Sequence, residues 1–433
     1  MRKTSILLIL VLGLLISLAS CQNDVKLTSK DFSESVKYRT SQEMVEHSLA
    51  AYNHLYPAKS RNSREVANIV PIRTNMSRSE VPNPLYAINF ADSAGYVIVA
   101  SHPNVEPIMA VIEKGTFDPN TDNDGFNAFL KAAENYIPTY STNGLEINID
   151  TLKEDFHFWE EDVDTILDFK VEPQVKNWWG QTGIYNKYCP VFYDNDNQIK
   201  NTPTGCVPTA LGMVMATCKN KRSIDITYDG SEENMSLNWN ELSLHSSTIY
   251  HSAFCTESNH DKIARLLREL GKRCNVVYGP QSSIVTNPTY IKKGLEAIGF
   301  TNIYPQEYTS VVAAIKKDKI LLAYNPHHCF IIDGAKCTWY RYTERIYKED
   351  PWGRRTLIST KVEDQQLYLA HVVWGYENNA VGYFNERYFN MLQPYYLDYG
   401  SVEIKYSPEG NTNYRKDLFY YGIEIPKRIQ AIN

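Results

Sequence analysis

The sequence predicts an α+β protein in two successive parts, and three observations predict it. In the first part, two apolar runs flank a turn and are followed by a helical pattern. From Val171 onward the texture changes, and strand-type runs alternate with helical ones amid dense Tyr, Trp, Gly and Pro. The length of 433 residues is enough for two or three domains and a sizeable core. A net charge of −6 gives no basic footprint, so no nucleic-acid partner is expected.

The elements follow in chain order. Arg2 and Lys3 precede the apolar stretch "ILLILVLGLLISLA", which is too short for a confident spanning helix and gives way to polar sequence. It ends in "LASC", Leu18 to Cys21, which resembles a bacterial lipobox. Residues 1–20 are therefore expected to be a signal peptide and Cys21 a lipidated first residue, with a bacterial cell-envelope location, periplasmic or surface, the mature domain being released or retained. The plain alternative is an ordinary secretory signal that happens to carry a cysteine.

A helical stretch, "SQEMVEHSLAAYNHL", interrupts polar sequence up to about residue 80. The run "PLYAINFADSAGYVIVASHPNVEPIMAVIE" places two apolar segments around Ala91 to Gly95 and reads as a hairpin. "GFNAFLKAAENYI" reads as a helix. Residues 151–170 carry Glu154, Asp155, Glu160, Glu161, Asp162, Asp164 and Asp168. They read as an exposed connection or as a solvated helix face.

In the second part, "KIARLLRELG" sets Ile263, Leu266, Leu267 and Leu270 at helical spacing before Gly271, and "NPTYIKKGLEAIGF" does the same before Gly299. Residues 320–324, 329–334 and 367–375 read as strands. Of eight cysteines, Cys21 is assigned to lipid and none sits at zinc spacing, so no metal or cofactor is expected. Cys189, Cys218, Cys255, Cys274, Cys329 and Cys337 are free or paired; sequence does not choose.

One cysteine stands apart. In "TPTGCVPTALGMVMAT", Val207, Ala210, Leu211, Val214 and Met215 mark one apolar helix face. Pro208 suits the first turn and Thr204 is a candidate cap. Cys206 then stands at the helix N-terminus, where unpaired N–H groups and the macrodipole lower a thiol pKa. Gly205 would leave room for a substrate backbone. By residue type alone, a buried structural cysteine is the commoner case. A thiolate nucleophile needs a base. The candidate is His328 in "NPHHCFIIDGA", 122 residues on, although a lone histidine is more often a satisfied core or surface residue.

These motifs together resemble the streptopain family of bacterial cysteine proteases. The resemblance is carried in order by "NWWGQTGIYNKYCP", "GCVPTA", "HCFIIDG" and "HVVWGYENNAVGYF", with "NVVYGPQSS" and "LNWNEL" between them. The second motif centres on Cys206, and the third selects His328 over His327. The hairpin region resembles the family's pro-domain.

The resemblance implies a papain-like catalytic domain over 171–433, preceded by a small α+β pro-domain and activation linker over 22–170. It implies Cys206 as nucleophile, His328 as base and then acid, Gln181 as oxyanion-hole donor, and Trp374 as the cover of the histidine. It implies protein or peptide substrates and the chain's own pro-domain as intramolecular inhibitor. The lipid on Cys21 would supply the membrane contact.

One departure stands out. The family usually places Asn before that Trp to orient the base, and here Val373 has no amide. Two rival readings stand beside the peptidase: a non-catalytic binding lipoprotein that has lost turnover, which Val373 supports, and a Cys-dependent acyltransferase, in which the same acyl-enzyme passes to an amine. Absent an amide at 373, its replacement by Asn is expected to raise the rate.

Overall fold

In a computed structural model, the described residues are 48–49, 52–53, 65–72, 85–100, 106–136, 157–242, 256–300, 310–316, 319–324, 328–350, 352–389, 396–399, 402–405 and 419–424. The signal peptide, Cys21, Cys255 and His327 lie outside them, as does most of the helix expected near residues 41–55, of which 48–49 and 52–53 are helical.

The expected hairpin belongs to an antiparallel meander of β1 (Val66–Ile72), β2 (Leu85–Phe90), β3 (Tyr96–Ala100) and β4 (Ile108–Ile112). The helix expected next is α1 (Asp124–Tyr136). It buries Phe126, Phe129, Leu130 and Ala133, at i, i+3, i+4 and i+7, on one face of the sheet. Phe129 meets Phe384 edge-on at 4.8 Å and Tyr388 at 5.2 Å. Each such Phe contributes about 1.5–3 kcal/mol of burial, so packing rather than propensity holds α1.

Next come β5 (His157–Val171) and the ribbon β6 (Val191–Tyr193) with β7 (Ile199–Asn201). α2 (Cys206–Cys218) precedes the ribbon β8 (Ser223–Tyr228) with β9 (Ser231–Ser236). They are followed by α3 (Trp239–Leu242), α4 (Glu257–Arg273), the ribbon β10 (Val277–Tyr278) with β11 (Ser283–Ile284), α5 (Pro288–Ala297) and α6 (Val311–Ile315). The remaining strands are β12 (Lys319–Tyr324), β13 (Cys329–Glu349), β14 (Arg355–Val373), β15 (Gly382–Asn385), the ribbon β16 (Tyr396–Tyr399) with β17 (Val402–Lys405), and β18 (Phe419–Glu424).

α5 ends just before Gly299, as expected. α4 runs past Gly271 to Arg273, because the left-handed turn that ends it falls at Asn275, with φ 51°.

One antiparallel sheet runs β1-β2-β3-β4-β15-β14-β13-β12-β18, with β5 also paired to β13. β14 takes one edge of β13. The other edge is shared, first by β12 along 329–332 and then by β5 from Ala335 onward. The acidic stretch, where described, is thus a strand and not an exposed connection or a helix face. Polar cross-strand neighbours accompany the pairing, some of opposite charge and some, such as Glu344 with Glu161, of like charge. β13 sets Arg341 opposite Asp164, and Thr338 donates to Asp168 Oδ1 at 3.2 Å. A solvated-looking segment becomes a strand once a partner strand offers its backbone edge and cross-strand polar contacts.

Alternation assigns the two faces of the sheet. Leu321, Ala323, Phe330, Ile332, Val372 and Trp374 join the core with α1. Ile320, Leu322, Tyr324, Cys329, Ile331 and Val373 join the core with α2, α4 and α5. The sheet therefore divides an N-terminal helix from the helix that carries Cys206.

Candidate active site

α2 starts at Cys206, and Gly205 is its N-cap with φ 93° and ψ 149°, a conformation that side chains disfavour. A β-carbon on Gly205 would lie 2.7 Å from the Ser283 carbonyl oxygen. The space that the sequence assigned to substrate is therefore filled by β11. Thr204 does not cap the helix with its side chain. Its hydroxyl pairs with Thr209 Oγ1 at 2.9 Å, and Thr209 donates to the Gly205 carbonyl at 2.9 Å.

The main-chain amides of Cys329, of Cys206 itself and of Val207 lie close to the Cys206 thiol. They favour a thiolate. Cys206 as a residue is only partly buried, yet desolvation of its thiol dominates and pushes it up to about 11. The lowered pKa expected from the helix N-terminus is thus reversed in this closed arrangement.

His328 directly precedes Cys329, so the imidazole and the sulfur share one stretch of main chain. Buried to 2 % exposure, its ring lies between Phe330, Trp374 and Tyr376, with centroids 6.3, 6.3 and 5.7 Å away. Its Nε2–H donates to the Trp374 carbonyl at 2.8 Å, which fixes the tautomer. Burial holds its pKa down to about 4.

Trp374 is fully buried and donates through Nε1 to the Ala380 carbonyl at 3.1 Å. Gln181 is tied by its carbonyl to the Thr204 N–H at 2.9 Å, two residues before the thiol. Its side-chain amide donates to the Gly375 carbonyl at 3.5 Å. The structure thus gathers Cys206, His328, Gln181 and Trp374 around the start of β13 and the end of β14. Among the described residues, no three His, Cys, Asp or Glu side chains come together as a metal site requires.

Val373 overturns one expectation. It pairs with Ile331 and faces the α2 side of the sheet, while Phe330 and Trp374, which flank the imidazole, face the α1 side. An amide at 373 would point away from His328. The carbonyl of Trp374 already accepts the ring proton.

The N-terminal part closes the site. A β-carbon on Gly125 would fall 2.5 Å from Cδ2 of His328 and 2.5 Å from Cε3 of Trp374. Asp124 accepts from the Tyr376 hydroxyl at 3.1 Å. Asn123 caps α1 by accepting from the Phe126 N–H at 3.0 Å, and its Nδ2 donates to the Asn379 carbonyl at 2.9 Å. Asn379 Nδ2 in turn donates to Thr121 Oγ1 at 2.8 Å. The sequence reading named none of Thr121, Asn123, Asp124, Gly125 or Tyr376. A signal existed in Gly125, since glycine in a first helical turn costs about 1 kcal/mol against alanine and asks for a reason.

The described cysteines other than Cys206, namely Cys189, Cys218, Cys274, Cys329 and Cys337, are free and buried. Burial pushes the thiols of Cys189 up to about 11 and of Cys218 and Cys274 up to about 12.

A thiol at a helix N-terminus, a histidine at the start of the adjoining strand and an N-terminal domain laid over both define the class: a cysteine peptidase with a covering pro-domain. Residues 179–384 match the model of the peptidase C10 family, so the chain carries a peptidase C10 (streptopain family) domain. The model of the Spi protease inhibitor matches residues 36–137. Among solved structures, a prointerpain A fragment from Prevotella intermedia with a Cys-to-Ala substitution is similar at 18 % identity. The match covers 82 % of this chain and 97 % of that one, with a TM-score of 0.51, and is a likeness of fold. Active wild-type interpain A cysteine protease from the same organism is similar at 19 % identity over 58 % of this chain and 94 % of that one, with a TM-score of 0.35. No curated protein matches the chain.

Proposed function

We propose that this cysteine peptidase zymogen hydrolyses internal peptide bonds through a thioester on Cys206, with His328 as base and Gln181 as oxyanion donor. One observation carries the reading: Cys206 opens α2 beside the main chain of Cys329, the residue that follows His328. In the closed chain the thiol and the imidazole are both uncharged near neutral pH, because burial raises one and lowers the other. Removal of α1 would admit water and bring the two pKa values together.

The proton of Cys206 would then move to Nδ1 of His328, since the carbonyl of Trp374 occupies Nε2. The thiolate attacks the scissile carbonyl carbon. The oxyanion is held by the amide of Gln181 and the N–H of Cys206. Nδ1–H protonates the departing amine, leaving a thioester. Water then gives its proton to Nδ1 and attacks the thioester, and collapse returns the proton to sulfur. Trp374 covers the ring and excludes water from it.

The proposal extends to the chain's organisation. Residues 1–20 act as signal peptide, Cys21 carries lipid at the bacterial cell envelope, 22–170 form the pro-domain and linker, and 171–433 the catalytic unit. β5 ends at the boundary and lies along β13, so release requires β5 to peel from β13 and β4 from β15.

The test is cleavage of casein by the activated chain, with and without an epoxide thiol inhibitor, beside Cys206→Ala. Inhibitor-sensitive cleavage that the variant lacks is the expected result. Equal cleavage by the variant refutes the assignment.

A further inference from the structure

We propose that Tyr376 reads the substrate residue on the leaving-group side of the scissile bond by donating its hydroxyl to a carboxylate there, the place that Asp124 fills in the closed chain. The proposal rests on His328 being the base of the reaction. The register of β13 and β14, Ile331 to Val373, brings Tyr376 opposite His328 when continued outward. The two rings confirm it, lying 5.7 Å apart at 31°. A general base hands its proton to the departing amine, so the residue carrying that amine must lie against the imidazole. Tyr376 packs at a tilt against that imidazole, and its hydroxyl already holds a carboxylate at 3.1 Å.

The closed chain indicates what this surface accepts. Residues 121–125 are pinned to the loop 376–380 by Asn123 on the Asn379 carbonyl and by Asn379 on Thr121. Those two contacts use main chain and small polar groups, which many peptides can offer. The Asp124 contact is the one that reads a charged side chain. Tyr376 remains a donor across the working range, because burial raises its pKa and the phenol keeps its proton. Glu377, the next acid in the loop, has its Cγ beside Gly180. A hydrogen bond to a carboxylate is stronger than one to a neutral acceptor, so acidic residues are selected over amides and apolar residues.

Two arms test this. In the first, the full chain is allowed to process, and its cuts in a denatured protein mixture are mapped beside those of Tyr376→Phe. The expected result is Asp or Glu enriched within two residues after the cut, with kcat/KM for a peptide carrying Asp there exceeding its Ala counterpart by about tenfold. That ratio is expected to fall toward one in the variant. An unchanged ratio, or no acidic preference in the parent, overturns the proposal. The second arm needs no turnover, which separates failure of this inference from failure of the catalytic reading. Iodoacetamide labelling of Cys206 is timed in intact chains carrying Tyr376→Phe, Asp124→Asn or both. Each single change is expected to speed labelling about tenfold, and the double change to add nothing further. Parental rates in either single variant, or additive effects in the double, overturn it.

Discussion

Gly125 lies against the imidazole of His328, so that a β-carbon would fall 2.5 Å from the ring's Cδ2. Inhibition is therefore a matter of shape before it is a matter of charge. The bare main chain of α1 fits where a side chain would not, and it shuts the ring away from solvent.

Gly125→Ala sets two effects against each other. Alanine favours the helix by about 1 kcal/mol, whereas overpacking against His328 and Trp374 costs about 1–3 kcal/mol. Overpacking wins, since both neighbours are enclosed. The net loosening is up to about 2 kcal/mol, so the full-length variant should show faster Cys206 alkylation than the parent, by up to about thirtyfold. A latent thiol with raised stability would mean that the helix shifts to accommodate the methyl group.

Closure should depend on pH in both directions. His328 is held down to about 4 when closed, so between about 4 and its ordinary value near 6.5 the open or unfolded state binds the extra proton. Stability of the closed form then falls as pH drops through that range, by up to about 3 kcal/mol. Cys206 is held up to about 11 against an ordinary value near 9, so the open state loses the proton first and closure weakens above pH 9. The other buried thiols act in the same alkaline direction. Circular dichroism melts of full-length Cys206→Ser, compared with the parent from pH 4 to 10, separate the two limbs. The alkaline limb should shrink and the acid limb persist.

Val373→Asn should not raise turnover. The side chain faces the apolar core shared by Cys329, Ile331 and α2, where an unpaired amide costs about 1–3 kcal/mol. A lower melting temperature with no gain in kcat is the expected outcome. A faster enzyme would show that the strand rotates and that an amide at 373 can reach His328.

Gly382→Ala tests the junction of the two halves. A β-carbon there would sit 2.5 Å from the Val111 carbonyl, in the row where β4 meets β15. The substitution should loosen the pro-domain and bring protease-sensitive sites in residues 66–112 into play. Limited proteolysis with trypsin, followed by intact mass, reads this directly. An unchanged digest would mean that α1 and β5 hold the pro-domain in place without that seam.

Much of this was legible in the chain. The helix after Gly205, the hairpin around Asp92 and the strand after His328 each declare themselves within a dozen residues, because turn chemistry and apolar spacing are local. Cys206 and His328 stood out by the motifs around them. The strand β5 did not, since its acids read as solvated until Arg341 and Thr338 are seen opposite them. The direction of Val373 was hidden because a residue's face depends on register with Ile331, which no local pattern records. Gly125 and Tyr376 were missed for a related reason: each has its meaning only against His328, some 200 residues away from the first of them.

The pairing of Val111 with Tyr383 and of Ala110 with Phe384 brings together strands separated by more than half the chain. A contact of that span is slow to form, because the entropy of closing so large a loop is lost before the contact returns anything. Once β1 to β4 have assembled from near neighbours, however, they present a finished edge on which the four residues of β15 can align. The N-terminal domain is then a template as well as a cover. A catalytic unit refolded without it must find the place of β15 from β14 alone, and should reach its native state more slowly than it does when the whole chain folds.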